Sequence, residues 1–424
     1  MANDWNEVRY DLDKPGNFTA ICNSPWYTDT VYDKFSDAEY ERRHNHARKI
    51  MERDGLDALI LTGSPNIYSM GRFVTWATGM QDDRAMCQYV VLPRDGEPTL
   101  VYAHAGCHIE AVRQMVGIKD VRGSEGDQYG KVIADRIEEL GLQAGRIGIT
   151  AADRKGVEYM GLMCFRELEK RLPDATFEFL PDLLHELVVN KSEEEIEAVT
   201  KAGELVVAAI KAIIAAARPG AYEYQLAAAG TYAIMNGGGK VGLMMVGSTS
   251  MEDPRLVFAN PFPSHRVLKE GDIIVNEIIA TYKGYGAKFG HPISVGPPTA
   301  RFDTFYKDVV LGGFRALYDR LQPGNTLADI QQAGSYFRDK GAQSRPGMVD
   351  GMDFGTALPR VRVNRISAAE GDEVVQPGRV YAIAITPIDA QGIYGMVLAR
   401  SYITTEDGKR DLTPFPLDGI AVAS

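Results

Sequence analysis

The sequence predicts an α/β protein of the α+β kind in two domains, the second carrying an internal pseudo-two-fold repeat. Three observations predict this. Strand-like apolar runs alternate with helix-like amphipathic runs over roughly the first 180 residues. Where that alternation ends, Ser192 and Glu195 stand at the spacing of a capping box and open a long helical stretch. Beyond it a helix end, a Pro-Gly turn, a second helix and a glycine recur, once at Pro219-Gly220 and again at Pro323-Gly324.

At 424 residues the chain exceeds what one hydrophobic core ordinarily serves. Its 45% hydrophobic and 24% charged content is that of a folded globular protein. The net charge of -11, with no long Lys/Arg run, turns the chain away from nucleic acid and anionic membranes, which demand concentrated positive charge. A small-molecule substrate is the expected partner. The opening segment MANDWNEVRYDLDKPGNF is acidic, and no stretch approaches the ~18 to 20 apolar residues of a membrane helix, so a cytoplasmic location is expected. Cys22, Cys87, Cys107 and Cys164 form no C-x-x-C pair and read as reduced, structural thiols.

In chain order, residues 1–38 form a polar N-terminal extension and 39–185 the first domain. In FSDAEYERRHNHARKIMERDGLDALILTG a helical pattern stops at Gly55 and a buried strand follows over Ala58 to Leu61. QYVVLP, PTLVYA and RIGIT read as strands, DQYGKVIADRIEELG and EYMGLMCFRELEKRL as helices, giving a mixed or parallel sheet that ends near Pro181. The second domain, 186–424, begins at the capping box, where three glutamates suit the positive end of the helix, and its first helix runs to Pro219-Gly220. The echo then pairs RPGAYEYQLAAAGTYAIMNGGG with QPGNTLADIQQAGSYFRDKGAQ.

Taken together and in this order, seven segments carry a family resemblance: LDALILTGSPNIYSMGRF, NKSEEEIEAVTKAGELV, ARPGAYEYQLAAAG, LKEGDIIVNEIIATYKGYGAKFGHPISVG, LQPGNTLADI, VVQPGRVYAIAITP and SYITTEDGKRDLT. Over about residues 40 to 415 the chain resembles the creatinase/aminopeptidase P/prolidase (peptidase M24-like) superfamily. The resemblance implies a creatinase-type N-terminal α/β domain and a pita-bread catalytic domain. It also implies a homodimer in which the loop RFVTWATGMQDDRAM reaches the partner's active site. In that family's metallopeptidases two Asp, one His and two Glu hold two divalent ions that activate a bridging water. The corresponding positions here fall on Glu277 (on Asn276 with a one-residue shift), Lys288, Met352, the stretch Ala384 to Thr386, and Ala399 beside Arg400; Pro359-Arg360 stand where a further His and Glu are expected. This implies a divergent member without the metal ligands, and neither a metal nor another cofactor is expected. Metal-free creatinase uses a His before the hairpin; that position falls on Asn260, with His265 five residues on.

The resemblance places Glu277, Lys288 and His291 as candidate catalytic groups. Glu277 is a base or a nucleophile, Lys288 a stabilising cation or acid, and His291 the group whose ordinary titration lies nearest neutrality. The structural alternative is an ion pair of Glu277 with Lys288 across the hairpin. Candidate substrate-binding residues are Asn260, His265, Arg360, Arg362, Arg400, Trp76 and Arg84, with Asp82 and Asp83 beside the last. Arginines at former metal positions point to an anionic or zwitterionic substrate. His104 and His108 read as structural. The expected function is a metal-independent, creatinase-like enzyme performing hydrolysis or lyase chemistry at a C–N or related bond of a small polar metabolite. The alternatives are a metal-dependent aminopeptidase or Xaa-Pro dipeptidase, and a non-catalytic binding protein.

Overall fold

Ser36 caps the first helix, α1 (Asp37–Asp54), by accepting the Glu39 backbone N–H, and Gly55 ends it at φ 69°. The structure, a computed structural model, describes residues 31–63, 72–80, 87–103, 107–151, 159–188, 190–352, 354, 357–363 and 371–423. The chain divides into two units, Met1–Val188 and Val189–Ser424. No helix among the described residues is long and apolar enough to cross a membrane.

In the first unit α1 is followed by β1 (Ala58–Gly63), α2 (Arg72–Thr78), β2 (Gln88–Pro93), β3 (Thr99–Tyr102), α3 (Cys107–Met115) and β4 (Asp120–Gly123). Then come α4 (Tyr129–Glu139), β5 (Arg146–Ile149), α5 (Leu162–Arg171), β6 (Thr176–Phe179) and α6 (Leu183–Val188). The strands form one mixed sheet, β4-β3-β2-β1-β5-β6, antiparallel at β1–β2 and β2–β3 and parallel elsewhere. Every residue of β1, β2 and β3 is buried, as near-continuous apolar strands in a covered sheet should be. The segment expected to be a substrate-reaching loop differs. Its residues 72–78 form α2, all buried, and the Trp76 carbonyl accepts from Arg43 Nη1 at 2.8 Å. Trp76 is therefore a core residue, because a large ring on a seven-residue helix against β1 finds more contact inward than outward. Arg84, Asp82, Asp83 and His104 lie outside the described residues, as does the side chain of His108.

In the second unit α7 (Glu193–Ala216) carries the full capping box: Ser192 Oγ accepts the Glu195 N–H and the Glu195 carboxylate accepts the Ser192 N–H. The elements continue with α8 (Glu223–Asn236), β7 (Lys240–Ser250), β8 (Asp272–Tyr282), β9 (Tyr285–Phe289), β10 (Ile293–Val295) and α9 (Ala300–Phe305). A π-helical turn (Tyr306–Leu311) leads into α10 (Gly312–Arg320), α11 (Leu327–Ala333) and α12 (Ser335–Asp339). The remaining strands are β11 (Gln343–Ser344), β12 (Gly347–Gly351), β13 (Ala357–Arg362), β14 (Val380–Ile385), β15 (Pro387–Ile388), β16 (Leu398–Thr405), β17 (Gly408–Asp411) and β18 (Ala421–Ala423).

The echo in the sequence is an echo in space. Gly220 and Gly324 turn the chain at φ 90° and 89° before α8 and α11. Each following helix is closed at its start by a side chain three residues in, Gln225 on the Tyr222 N–H and Asp329 on the Thr326 N–H. Two five-stranded sheets result, β18-β10-β8-β7 with β9 on β8, and β13-β12-β14-β16-β17. Each has its own core: Ile210, Ile213, Leu226, Ile278 and Phe289 for the first, and Phe302, Phe314, Leu317, Ile383 and Leu398 for the second. The sheets meet where Gly290 and Ala399 exchange backbone hydrogen bonds at 3.1 and 2.9 Å. A side chain at Gly290 would lie 2.6 Å from Val397, so only glycine lets the backbones approach this closely.

Candidate active site

The β8–β9 hairpin sets the site. Lys288 pairs with Ile279 in register, and Ile279 shares a face with Glu277 two residues away, so ammonium and carboxylate project together. Asn276 points the other way, is fully buried, and binds the His291 backbone through both ends of its amide, at 2.6 and 3.2 Å. Of the two residues, Glu277 is the one on the face of Lys288. On the second sheet Asp350 pairs with Arg360 across β12–β13 and with Ala382 across β12–β14. Lys288 Nζ lies 3.2 Å from Glu277 Oε1 and 2.8 Å from Asp350 Oδ2, bridging carboxylates from the two sheets.

The lysine side chain is 5% exposed, whereas those of Glu277 and Asp350 are 16% and 17% exposed. Solvent thus meets the carboxylates and not the cation. Burial by itself would lower the Lys288 pKa; Asp350 and then Glu277 outweigh it and hold the pKa above the ordinary lysine value. Lys288 is a permanent cation, and two of its three N–H donors are committed to carboxylates.

His291 and Arg400 form a separate, buried layer. Arg400 pairs with Ile383, one residue out of phase with Ala382 and Ala384, so it lies on the face opposite Asp350. Its Nη1 donates to the carbonyls of Gly290 and Ala399, each at 2.8 Å, Nη2 donates to His291 Nδ1 at 3.0 Å, and the guanidinium rests 4.0 Å from the Phe289 ring centre. His291 Nε2 donates to the Gly419 carbonyl at 3.0 Å. Burial, reinforced by Arg400, pushes the His291 pKa down to about 3, and burial lowers that of Arg400 to about 10. With both ring nitrogens engaged, the geometry gives His291 a framework role in place of the acid/base role expected of it. Arg400, fully buried behind the seam, likewise supports the backbone and does not reach a substrate.

Asn260 donates to Glu223 Oε2 at 3.3 Å. Glu223, fully buried at the start of α8, also accepts from the backbone and hydroxyl of Ser248 and of Ser264, tying the loop before β8 to helix and sheet. Asn260 is thereby part of a structural network. His265 is exposed and packs beside Tyr224, 5.3 Å between ring centres. Arg362 is exposed on the face it shares with Arg360, while Arg360 sits across from Asp350 and is the arginine that the site brings close. Sequence reasoning missed Asp350 and Glu223. Asp350 was legible only as the residue two before Met352, on the same strand face.

The five metal-ligand positions implied by the family resemblance do not fit a dinuclear centre. Met352 is fully buried, Ala384 and Ala399 pair directly across β14–β16, and a lysine ammonium occupies the gap between the two carboxylates. Among the described residues no three His, Cys, Asp or Glu converge as ligands would.

Residues 43–187 match the Creatinase/Prolidase N-terminal domain and residues 197–407 match Metallopeptidase family M24. The Xaa-Pro dipeptidase of Pyrococcus horikoshii is 22% identical over 381 residues, 86% of this chain and 95% of that protein. An uncharacterized hydrolase/peptidase of Sinorhizobium fredii is 24% identical over 402 residues, 90% of this chain and 96% of that protein. The X-Pro aminopeptidase of Thermotoga maritima superposes with a TM-score of 0.74 at 19% identity, covering 89% of this chain and 99% of its own. Dipeptidase PepE of Mycobacterium ulcerans superposes with a TM-score of 0.71 at 23% identity, covering 92% and 100%.

Proposed function

The chain belongs to the creatinase/prolidase superfamily with an M24 catalytic domain, and from that premise we propose that it is a cytoplasmic, metal-independent hydrolase of an amide C–N bond in a small anionic or zwitterionic, peptide-like compound. The observation that carries this reading is that Glu277 and Asp350, ion-paired to Lys288 at 3.2 and 2.8 Å as the structural alternative also expects, keep 16% and 17% of their side chains exposed while the lysine keeps 5%. Hydrolysis is preferred to elimination because the relatives named by activity are dipeptidases and aminopeptidases.

Glu277 is the base. Water adds to the amide carbonyl carbon as its proton passes to the Glu277 carboxylate. The C–N bond then breaks as that proton is delivered to the leaving nitrogen, giving a carboxylic acid and an amine. Lys288 supplies a fixed positive charge beside the oxygen on which negative charge develops, and its raised pKa keeps that charge in place at neutral pH. Asp350 positions the ammonium from the second sheet, and Arg360, across from it, receives a substrate carboxylate.

The comparisons favour a second reading, a metal-dependent Xaa-Pro dipeptidase, since that is how the Pyrococcus relative is named. One experiment separates the two. Protein dialysed against EDTA is analysed for metal by mass spectrometry and assayed on Xaa-Pro dipeptides and N-acyl amino acids, with and without added manganese. Activity that survives EDTA and falls by about a hundredfold or more in Glu277→Gln supports the metal-independent hydrolase. Two metals per chain, or activity that requires manganese, supports the dipeptidase. Absence of turnover under both conditions leaves a binding protein. The homodimer belongs to the same proposal, and sedimentation at twice the monomer mass is its expected outcome.

A further inference from the structure

The second unit carries a cleft of about 570 Å³ that shares no residue with the charged bridge. Small-molecule sites occupy roughly 300 to 1,000 Å³. One bank is a single helical face that runs from α9 into the π-helical turn and presents Arg301, Thr304, Phe305, Asp308 and Val309; Lys340, just past α12, stands on the other. π-Helical turns are rare and frequent at functional sites. This one is braced from the opposite bank, where the Tyr336 hydroxyl donates to the Asp308 carbonyl at 2.8 Å. Phe305 and Val309 pack against the core of the second sheet and give the cleft an apolar wall.

The charges of this cleft are uncommitted although charges beside it are paired. Lys307 binds Asp303 at 2.6 Å. The Asp308 carboxylate and the Lys340 ammonium line the same space without joining, and among the described residues neither they nor the Thr304 hydroxyl has a hydrogen-bond or ion-pair partner. Lys340 instead rests 5.5 Å from the Tyr336 ring centre. The Arg301 guanidinium is fixed, its Nη2 donating to the Met251 carbonyl at 2.6 Å and its centre 5.1 Å from that of the Tyr394 ring, yet it has no carboxylate partner among the described residues. Arg301 and Asp308 are seven residues apart on one helical face, about 10 Å along the axis. A single amino acid carries its two charges too close together to meet both. An extended chain of three residues spans about 10 Å between its ammonium and its carboxylate.

We infer that this cleft is a second binding site, for a zwitterionic peptide of about three residues with an apolar side chain at its middle. The peptide ammonium meets Asp308 and its carboxylate meets Arg301. Its apolar side chain rests on Phe305 and Val309, while Lys340 donates to a peptide carbonyl from the opposite bank. The inference is independent of the hydrolase reading, because binding here breaks no bond.

The test is a ligand-observed NMR titration of the full chain with leucine, alanyl-leucine and alanyl-leucyl-alanine, and with the tripeptide acetylated at its N-terminus, amidated at its C-terminus, or carrying glycine in place of leucine. The free tripeptide is expected to bind tightest. Blocking either end should weaken it by about fivefold, the upper worth of an exposed ion pair, and removing the leucine side chain by a similar factor. Arg301, Asp308 and Lys340 are exposed, so folding is not at stake in their variants. In Asp308→Asn the acetylated and free tripeptides should bind alike, in Arg301→Gln the amidated and free ones should, and Lys340→Ala should weaken every form equally. Equal affinity for leucine and the tripeptide, end-blocking penalties that persist in both Asp308→Asn and Arg301→Gln, or no binding of any peptide would each overturn the inference. Binding lost in Glu277→Gln and untouched by Asp308→Asn would overturn it too, by putting the peptide at the bridge.

Discussion

Removing the Lys288 ammonium would leave Glu277 and Asp350 facing each other with no counter-charge between them. Lys288→Met is therefore expected to cost about 3 to 5 kcal/mol in a denaturant titration, most of it the penalty of two uncompensated, largely buried carboxylates. The pH dependence has a definite sign. A lysine whose folded pKa lies above its ordinary 10.5 contributes stability that is complete below about pH 10.5 and is lost as the pH rises through the higher folded value. The stability gap between parent and Lys288→Met should thus stay constant from pH 7 to 10 and shrink above 10.5. His291 works in the opposite direction. Its pKa falls from 6.5 to about 3 on folding, so between those values the unfolded chain binds the proton and the folded chain does not. Stability should decline as pH drops from 6.5 towards 3, by up to about 1.4 kcal/mol per pH unit, and His291→Gln should flatten that slope in urea melts. At this scale the sequence was legible where local rules decide. Strand alternation and the hairpin brought Glu277 to Lys288. Burial is not local: it turned His291 and Arg400 from reagents into supports, and it made Asp350, 62 residues along the chain from Lys288, invisible until the sheets were assembled.

Helix starts and turns are where the chain announced its elements most clearly. The Ser192–Glu195 box and both Pro-Gly turns were readable because each is a contact within three or four residues. Glu195 does more than cap, since its other carboxylate oxygen accepts the Tyr285 hydroxyl from β9. Ser192→Ala should cost about 1 kcal/mol, the usual worth of an N-cap, whereas Glu195→Ala should cost clearly more because the buried Tyr285 hydroxyl loses this carboxylate acceptor as well; thermal melts of the two variants compare them. One element that sequence reasoning missed is α2. RFVTWAT is too short to show a helical period, and the polar residues that follow it read as loop.

Across the whole molecule the order of motifs, more than any one of them, made the fold legible, because a duplicated helix–turn–helix–strand unit leaves two sets of matching signals in the chain. What the order could not show is how the two halves of the second unit are stitched together. The stitches are long-range: Gly290 to Ala399, Lys288 to Ser401 through the serine hydroxyl at 2.8 and 3.0 Å, and Lys288 to Asp350. Because that unit holds two extensive cores of its own, residues 189–424 expressed alone are expected to unfold in one cooperative thermal transition; a broad, non-cooperative melt would count against this. On the metal-independent reading proposed above, the bridging ammonium also sets the terms on which the site matures. An ion must be captured from the cell's supply, can be outcompeted by a wrong ion, and can leave; a lysine arrives with translation at a fixed ratio of one to one. In the proposed metal-independent site the charge would be complete as soon as the two sheets close on Lys288, and it could not be mis-loaded, starved or diluted away.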